Sequence, residues 1–215
     1  MIKIAPSILS ANLLKIQKEV ENVDKAGADY IHIDIMDGQY VNNITFGPNI
    51  VNSLRKVTNK ILDVHLMINS TNKFIENFVN SGADIISFHP ETEKDPKEIL
   101  EKIKKLGCKC GLAIHPNVEV ENIEKYLDIV DIVIVMTVVP GFGGQKFMKS
   151  QLDKISNLNN IRNKKNLGFE IEIDGGINNQ TSKLCIEKGA DVLVAGSYIY
   201  GENESDYKKL IDSLR

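Results

Sequence analysis

The stretch His32-Ile33-Asp34-Ile35-Met36-Asp37-Gly38 puts an imidazole, two carboxylates and a thioether into a segment that otherwise reads as a buried strand. Side chains alternate across a strand, so His32, Asp34 and Met36 share one face while Ile31, Ile33 and Ile35 share the other. Asp37 has the opposite parity to Asp34 and stands before Gly38, which suits a turn or capping role. Further along, His65 and Met67 alternate with Val64 and Leu66, and Glu172 and Asp174 alternate with Ile171 and Ile173. Burying such groups costs several kcal/mol per charge, of the order ~3–5, unless they are paired or bind a metal. Two arrangements satisfy them: a divalent cation held by His32, Asp34, His65 and Asp174, or an internal Asp–His hydrogen-bond network. Nitrogen and oxygen ligands suit zinc, iron(II), cobalt or manganese rather than calcium.

These residues need elements that bring them together. Gly27-Ala28-Asp29, Gly82-Ala83-Asp84 and Gly189-Ala190-Asp191 each follow a helix-like pattern and precede an apolar run, the mark of a helix ending on a left-handed glycine and feeding a strand. Before the first of them, Leu13, Ile16, Val20 and Val23 have the spacing of one buried helical stripe. Asp95-Pro96-Lys97-Glu98 opens another helix with an N-cap acid, a proline at the first position and a capping-box glutamate. Eight strand candidates follow in order: KIAPSIL, DYIHIDIMD, ILDVHLMI, DIISFHP, CKCGLAIHP, DIVIVMTVV, FEIEIDG and DVLVAGS, with a helical pattern expected after each. Strict alternation makes the strands parallel and predicts an α/β fold, a closed (β/α)8 barrel filling residues 1–215 as one domain. An open doubly wound sheet would carry a GxGxxG fingerprint after its first strand, and none is present.

In such a barrel all strand C-terminal ends lie on one face. His32, His65, His89 and His115 fall late in strands, as do Met36, Met67 and Met136; His89 and His115 have no role assigned by pattern. Glycine-bearing turns follow the last three strands: Pro140 to Gln145, Gly175-Gly176 and Gly196-Ser197. Their backbone N–H groups suit a phosphate.

Composition narrows the partners. The chain has 215 residues, 42% hydrophobic and 26% charged, with net charge −3 and both signs interspersed. That leaves no footprint for nucleic acid or an anionic membrane, and favours a small molecule. No run reaches the ~18 apolar residues of a membrane span, and the first residues carry no signal-peptide core, so a cytoplasmic location is expected. Three cysteines without CxxC spacing read as reduced packing residues, with Cys185 on an amphipathic helix.

The segments APSILSAN, HIDIMDG, NITFGP, DVHLMI, MTVVPGFGGQKF, EIDGGIN and VAGSYIY, in this order from end to end, resemble the ribulose-phosphate 3-epimerase family. The resemblance implies a metal-dependent barrel interconverting D-ribulose 5-phosphate and D-xylulose 5-phosphate in the pentose phosphate pathway. It implies one divalent ion per subunit on His32, Asp34, His65 and Asp174, zinc first, with iron(II), manganese or cobalt as alternatives. Asp34 and Asp174 would be the proton-transfer pair, acting through a metal-stabilised enediolate. Ser7 and His65 would touch substrate beside the metal, and Met36, Met67 and Met136 would surround the reacting carbons. The phosphate would rest on Gly141, Phe142, Gly143, Gly144, Gly175, Gly176, Gly196 and Ser197. A homo-oligomer, dimer or hexamer, is implied by the same resemblance. Asn12 and Val139 depart from the family's usual residues, outside the ligand set. His89-Pro90-Glu91-Thr92 is similar to the D-allulose 6-phosphate 3-epimerases, a same-mechanism alternative. A 3-keto-gulonate-phosphate-type decarboxylase would need a lysine where Met36 stands. A non-catalytic phosphosugar-binding barrel would have no use for both facing carboxylates.

Overall fold

The computed structural model describes residues 1–215. Its strands are β1 (Lys3–Pro6), β2 (Tyr30–Met36), β3 (Ile61–Met67), β4 (Ile85–Phe88), β5 (Lys109–Ile114), β6 (Ile132–Met136), β7 (Glu170–Asp174) and β8 (Val192–Ala195). They form one parallel sheet in the order β1-β8-β7-β6-β5-β4-β3-β2, a nearly closed barrel whose β1–β2 edges meet through an isolated bridge between Ser7 and His32. All eight strands lie where alternation places them, each shorter than or equal to its apolar run.

The helices are α1 (Ile16–Lys25), α2 (Pro48–Arg55), α3 (Ile75–Asn80), α4 (Pro96–Lys105), α5 (Leu152–Lys165), α6 (Thr181–Lys188), α7 (Ser197–Tyr200) and α8 (Tyr207–Asp212). Asp95 caps α4 as its sequence foretells, accepting from the backbone N–H of Lys97 at 3.1 Å and of Glu98 at 3.3 Å. Two expectations are corrected. No α-helix follows β5: the chain makes two 3-10 turns, Val120–Asn122 and Glu124–Tyr126. Their buried residues, Val120, Ile123, Tyr126 and Leu127, have a spacing that suits a 3-10 or an α-helical turn, and the chain takes the tighter form. Leu13 does not belong to the buried stripe of α1, because Asn12 caps a separate 3-10 turn there and leaves Leu13 exposed.

The Gly-Ala-Asp punctuation serves two purposes. Gly27, Gly82 and Gly189 adopt φ of +96°, +100° and +106°, ending a helical turn in the left-handed region. The aspartates then clamp strands in pairs. Asp29, Asp84 and Asp191 accept from the N–H of Ile4, Leu62 and Ile171 at 2.8 Å, and Asp131 does the same for Cys110 at 2.9 Å. Each clamping residue also donates its own N–H to the carbonyl of the residue it holds. Thus β1–β2, β3–β4, β5–β6 and β7–β8 are each stitched at the end remote from the functional mouth.

The main apolar core lies between the sheet and its helices and takes in Ile31, Ile33, Ile35, Val64, Leu66, Ile171 and Ile173, the outward parity of β2, β3 and β7. Inside, Tyr30, Ile85, Ile132 and Val192 from alternate strands plug the barrel floor. Everything of inward parity above that floor on β2, β3 and β7 is polar or a methionine. Cys108, Cys110 and Cys185 are buried and unpaired.

Candidate active site and metal centre

Strand register builds the centre. In β2 and β3, His32 lies opposite Asp63, Asp34 opposite His65 and Met36 opposite Met67, all on the inward face. Asp174, the last residue of β7, joins them from across the barrel. His32 Nε2 is 3.5 Å from Asp34 Oδ1 and 3.9 Å from Asp174 Oδ2. His65 Nδ1 is 3.6 Å and 3.7 Å from the same two oxygens. One donor atom from each of the four residues falls within 4.8 Å of the others, a spacing that can hold a metal ion. His32 Nε2 and His65 Nδ1 are buried without a hydrogen-bond partner. Two orphaned nitrogens facing the same pair of carboxylate oxygens call for a ligand.

Three of the four members are anchored from outside the group. Ser7, at the end of β1, donates its hydroxyl to Asp34 Oδ2 at 2.5 Å, so the carboxylate's oxygens are divided: Oδ1 faces the imidazoles and Oδ2 faces Ser7. Thr45 ties down the backbone on either side, accepting from Met36 N–H at 3.0 Å and donating to the Asp34 carbonyl at 2.6 Å. Behind His32, Nδ1 meets Asp63 Oδ2 at 2.6 Å and Glu172 Oε1 at 3.1 Å. Behind His65, Nε2 meets His89 Nε2 at 3.0 Å.

Burial and charge act in opposition here. Burial disfavours a charged imidazole, yet the carboxylates of Asp34 and Asp63 overcome it and hold His32 well above the ordinary histidine range. In the same way Asp174 and Asp34 raise His65 to about 9 against its burial. Burial pushes Asp34 up, but His32 and His65 outweigh it and hold its carboxyl well below the usual range. Glu172, dry and beside Asp63, is pushed up to about 8.

Ser7, Met36, Met67, Met136, Gly141, Phe142, Gly143, Gly144, Asp174, Gly175, Gly176, Gly196 and Ser197 all line one pocket with Asp34 at the barrel mouth. His32 and His65 are wholly buried beneath it and form no part of its lining. The backbone N–H groups of Gly143, Gly144, Gly175 and Gly176 take no partner from the chain. Gly176 shows why glycine is needed: φ is +65°, and a Cβ would stand 2.7 Å from the Phe147 backbone nitrogen. Asp37 lies outside the centre as its parity foretells, accepting from the N–H of Gln39 at 2.8 Å, Tyr40 at 3.1 Å and Asn69 at 2.9 Å.

Sequence reasoning passed over Asp63, His89 as a partner of His65, and the Glu172 contact with His32. Asp63 has the same parity as His65 and Met67, so the signal was present. His115 lies on the rim, where its Nδ1 accepts from Asn117 N–H at 3.1 Å, and takes no part in the centre.

Fold and site together define a barrel enzyme with facing carboxylates, a cation-competent floor and an open cradle of backbone N–H groups. The chain belongs to the ribulose-phosphate 3-epimerase family, whose model matches residues 3–200, and is an isomerase of the epimerase kind. It is 48% identical over 216 residues to a ribulose-phosphate 3-epimerase of Bacillus subtilis (strain 168), covering 100% of this chain and 99% of that one. It is 44% identical over 216 residues to a chloroplastic ribulose-5-phosphate-3-epimerase of Arabidopsis thaliana, covering 100% of this chain and 76% of that one. The fold also matches a 3-keto-L-gulonate-6-phosphate decarboxylase of Vibrio cholerae, with a TM-score of 0.71 at 19% identity, over 100% of this chain and 95% of that one.

Proposed function

We propose that the chain interconverts D-ribulose 5-phosphate and D-xylulose 5-phosphate by moving a proton between C3 and the carboxylates of Asp34 and Asp174, a step of the pentose phosphate pathway. The observation that carries this is that the two carboxylates, from β2 and β7, face the same pair of orphaned imidazole nitrogens at 3.5–3.9 Å while both line the pocket. Inverting a carbon beside a ketone requires removal of a proton from one face and delivery to the other, which two acids on opposite sides accomplish without turning the intermediate. The similarity to ribulose-phosphate 3-epimerases of Bacillus subtilis and Arabidopsis thaliana supports the substrate.

The donor set fits a divalent cation: two buried, unpartnered imidazole nitrogens beside two carboxylates, with zinc first and iron(II), manganese or cobalt also accommodated. Bound there, it would supply positive charge against the substrate oxygens on which charge develops. The chain's own residues do the rest. Ser7 keeps Asp34 from turning, so the same oxygen always faces the imidazoles. Met36, Met67 and Met136 line the pocket with thioethers that have no proton to donate, protecting a carbanionic intermediate from stray protonation. The N–H groups of Gly143, Gly144, Gly175 and Gly176, with Ser197, would take the phosphate, whose binding energy positions C3 between the acids.

The test is proton exchange. Metal-replete protein incubated with D-ribulose 5-phosphate in deuterated water should give D-xylulose 5-phosphate carrying deuterium at C3; no exchange with any of the four metals overturns the reading. Asp174→Asn should lower turnover by at least ~10²–10⁴-fold, and normal turnover would overturn the two-acid mechanism. D-allulose 6-phosphate run in parallel measures the rival substrate.

A further inference from the structure

The two imidazoles of the centre are backed differently. His32 gives an Nδ1 proton to the Asp63 carboxylate at 2.6 Å, so Nε2, which faces Asp34 and Asp174, is the nitrogen it can offer to a cation. His65 has an imidazole behind it instead: Nε2 to Nε2 of His89 is 3.0 Å, with both rings fully buried. One proton occupies that contact, and its owner matters. Were it to come from His89, a neutral His65 would carry its own proton on Nδ1, aimed at Asp34 and Asp174, and that nitrogen could bind no cation.

The other nitrogen of His89 settles the ownership. His89 Nδ1 is buried without a hydrogen-bond partner and faces Glu91 Oε1 at 3.7 Å. A proton on Nδ1 is attracted by that carboxylate, whereas a lone pair there is repelled. Tyr40 fixes the arrangement, donating its hydroxyl to the same Oε1 at 2.8 Å and laying its ring against His89 at 4.7 Å between centroids. We propose that Glu91, held by Tyr40, sets the tautomer of His89 and through it that of His65. The proton sits on His89 Nδ1, His89 Nε2 accepts from His65 Nε2–H, and His65 Nδ1 is left free for the cation. His89 and Glu91 are therefore positioning residues of the metal centre, an assignment that rests on the metal reading above. Partners that orient a metal-binding histidine commonly govern affinity by ~10–100-fold.

Long-range proton–nitrogen correlation spectra of 15N-histidine-labelled full-length protein, cation-free and zinc-loaded, read the tautomer directly. His89 should be protonated on Nδ1 and bare on Nε2 in both; a proton on Nε2 overturns the proposal. Zinc affinity, measured against a chromophoric chelator, should fall about tenfold in Glu91→Ala and at least as far in His89→Ala. His89→Gln, whose amide oxygen can accept from His65 Nε2–H, should recover part of the loss, which a purely space-filling role would not produce. If Glu91→Ala keeps both the His89 tautomer and the zinc affinity, the relay is overturned. If the parent protein takes up no divalent cation, the metal reading fails, while the His89 tautomer in cation-free protein still decides the relay.

Discussion

Asp34 and Asp63 are both buried carboxylates beside His32, yet they do different work because they meet opposite edges of the ring: Asp34 faces Nε2 at 3.5 Å and Asp63 holds Nδ1 at 2.6 Å. Replacing Asp63 by Asn preserves size and removes the charge that makes His32 a better donor of its lone pair. Zinc affinity should fall by roughly 10–100-fold in Asp63→Asn, read by chelator competition; unchanged affinity would show that Asp63 only fills space. Parity and residue type were enough to read His32, Asp34, His65 and Asp174 from the chain, and to separate Asp34 from Asp37. They were insufficient for Asp63, although it shares the parity of His65. Which acid reaches which ring nitrogen depends on the register of β2 against β3, a non-local pairing that no single segment encodes.

At the scale of elements, the turn after β2 shows how a strand end is fixed so that its last inward residues stay in place. Asp37 accepts three backbone N–H groups, one of them from Asn69 beyond β3, and so ties the β2 and β3 mouths together. Burial raises its carboxyl, but those N–H groups outweigh burial and hold it below the usual carboxylate range. A lowered folded-state value stabilises the protein above the unfolded-state value, about 3.9, and the benefit is lost as pH falls through the folded value. Asp37→Asn should therefore cost about 1–2 kcal/mol in denaturant melts at neutral pH, and the gap to the parent should narrow below about pH 4. A gap that is constant with pH would remove charge from the explanation. The missing α-helix after β5 has the opposite lesson: apolar residues at Val120, Ile123 and Tyr126 fit a short helix of either kind, and the compact connection to β6 selects the tighter one. Short apolar runs of this kind leave the helix type to tertiary packing.

For the molecule as a whole, the four aspartate clamps join the strands in pairs at one end while the charged centre occupies the other, so stability and chemistry are carried by opposite ends of the barrel. A cation that binds only the folded centre stabilises it by mass action, ~2.7 kcal/mol at a free concentration of 100 times Kd. For a chain of this length that is about 5–10 °C in Tm, so zinc should raise and a chelator lower the melting temperature by that order, and no change would argue against the centre. Eight repeating units made the ring, and with it the pairing of β1 with β8, legible in advance; the looser β1–β2 seam, joined by the isolated Ser7–His32 bridge, was not. Ser7 takes its place only when its N–H meets the Ala195 carbonyl at 3.2 Å, and it then bridges to His32 and holds Asp34. The candidate centre is thus assembled from strands far apart in the order of synthesis. A chain still emerging from the ribosome can hold helices and half a sheet, but it has neither Asp174 nor an anchored Ser7 until β7 and β8 arrive. In refolding, turnover should return after most of the far-UV circular dichroism signal, in step with the last event, so catalysis itself serves as a clock for completion of the ring.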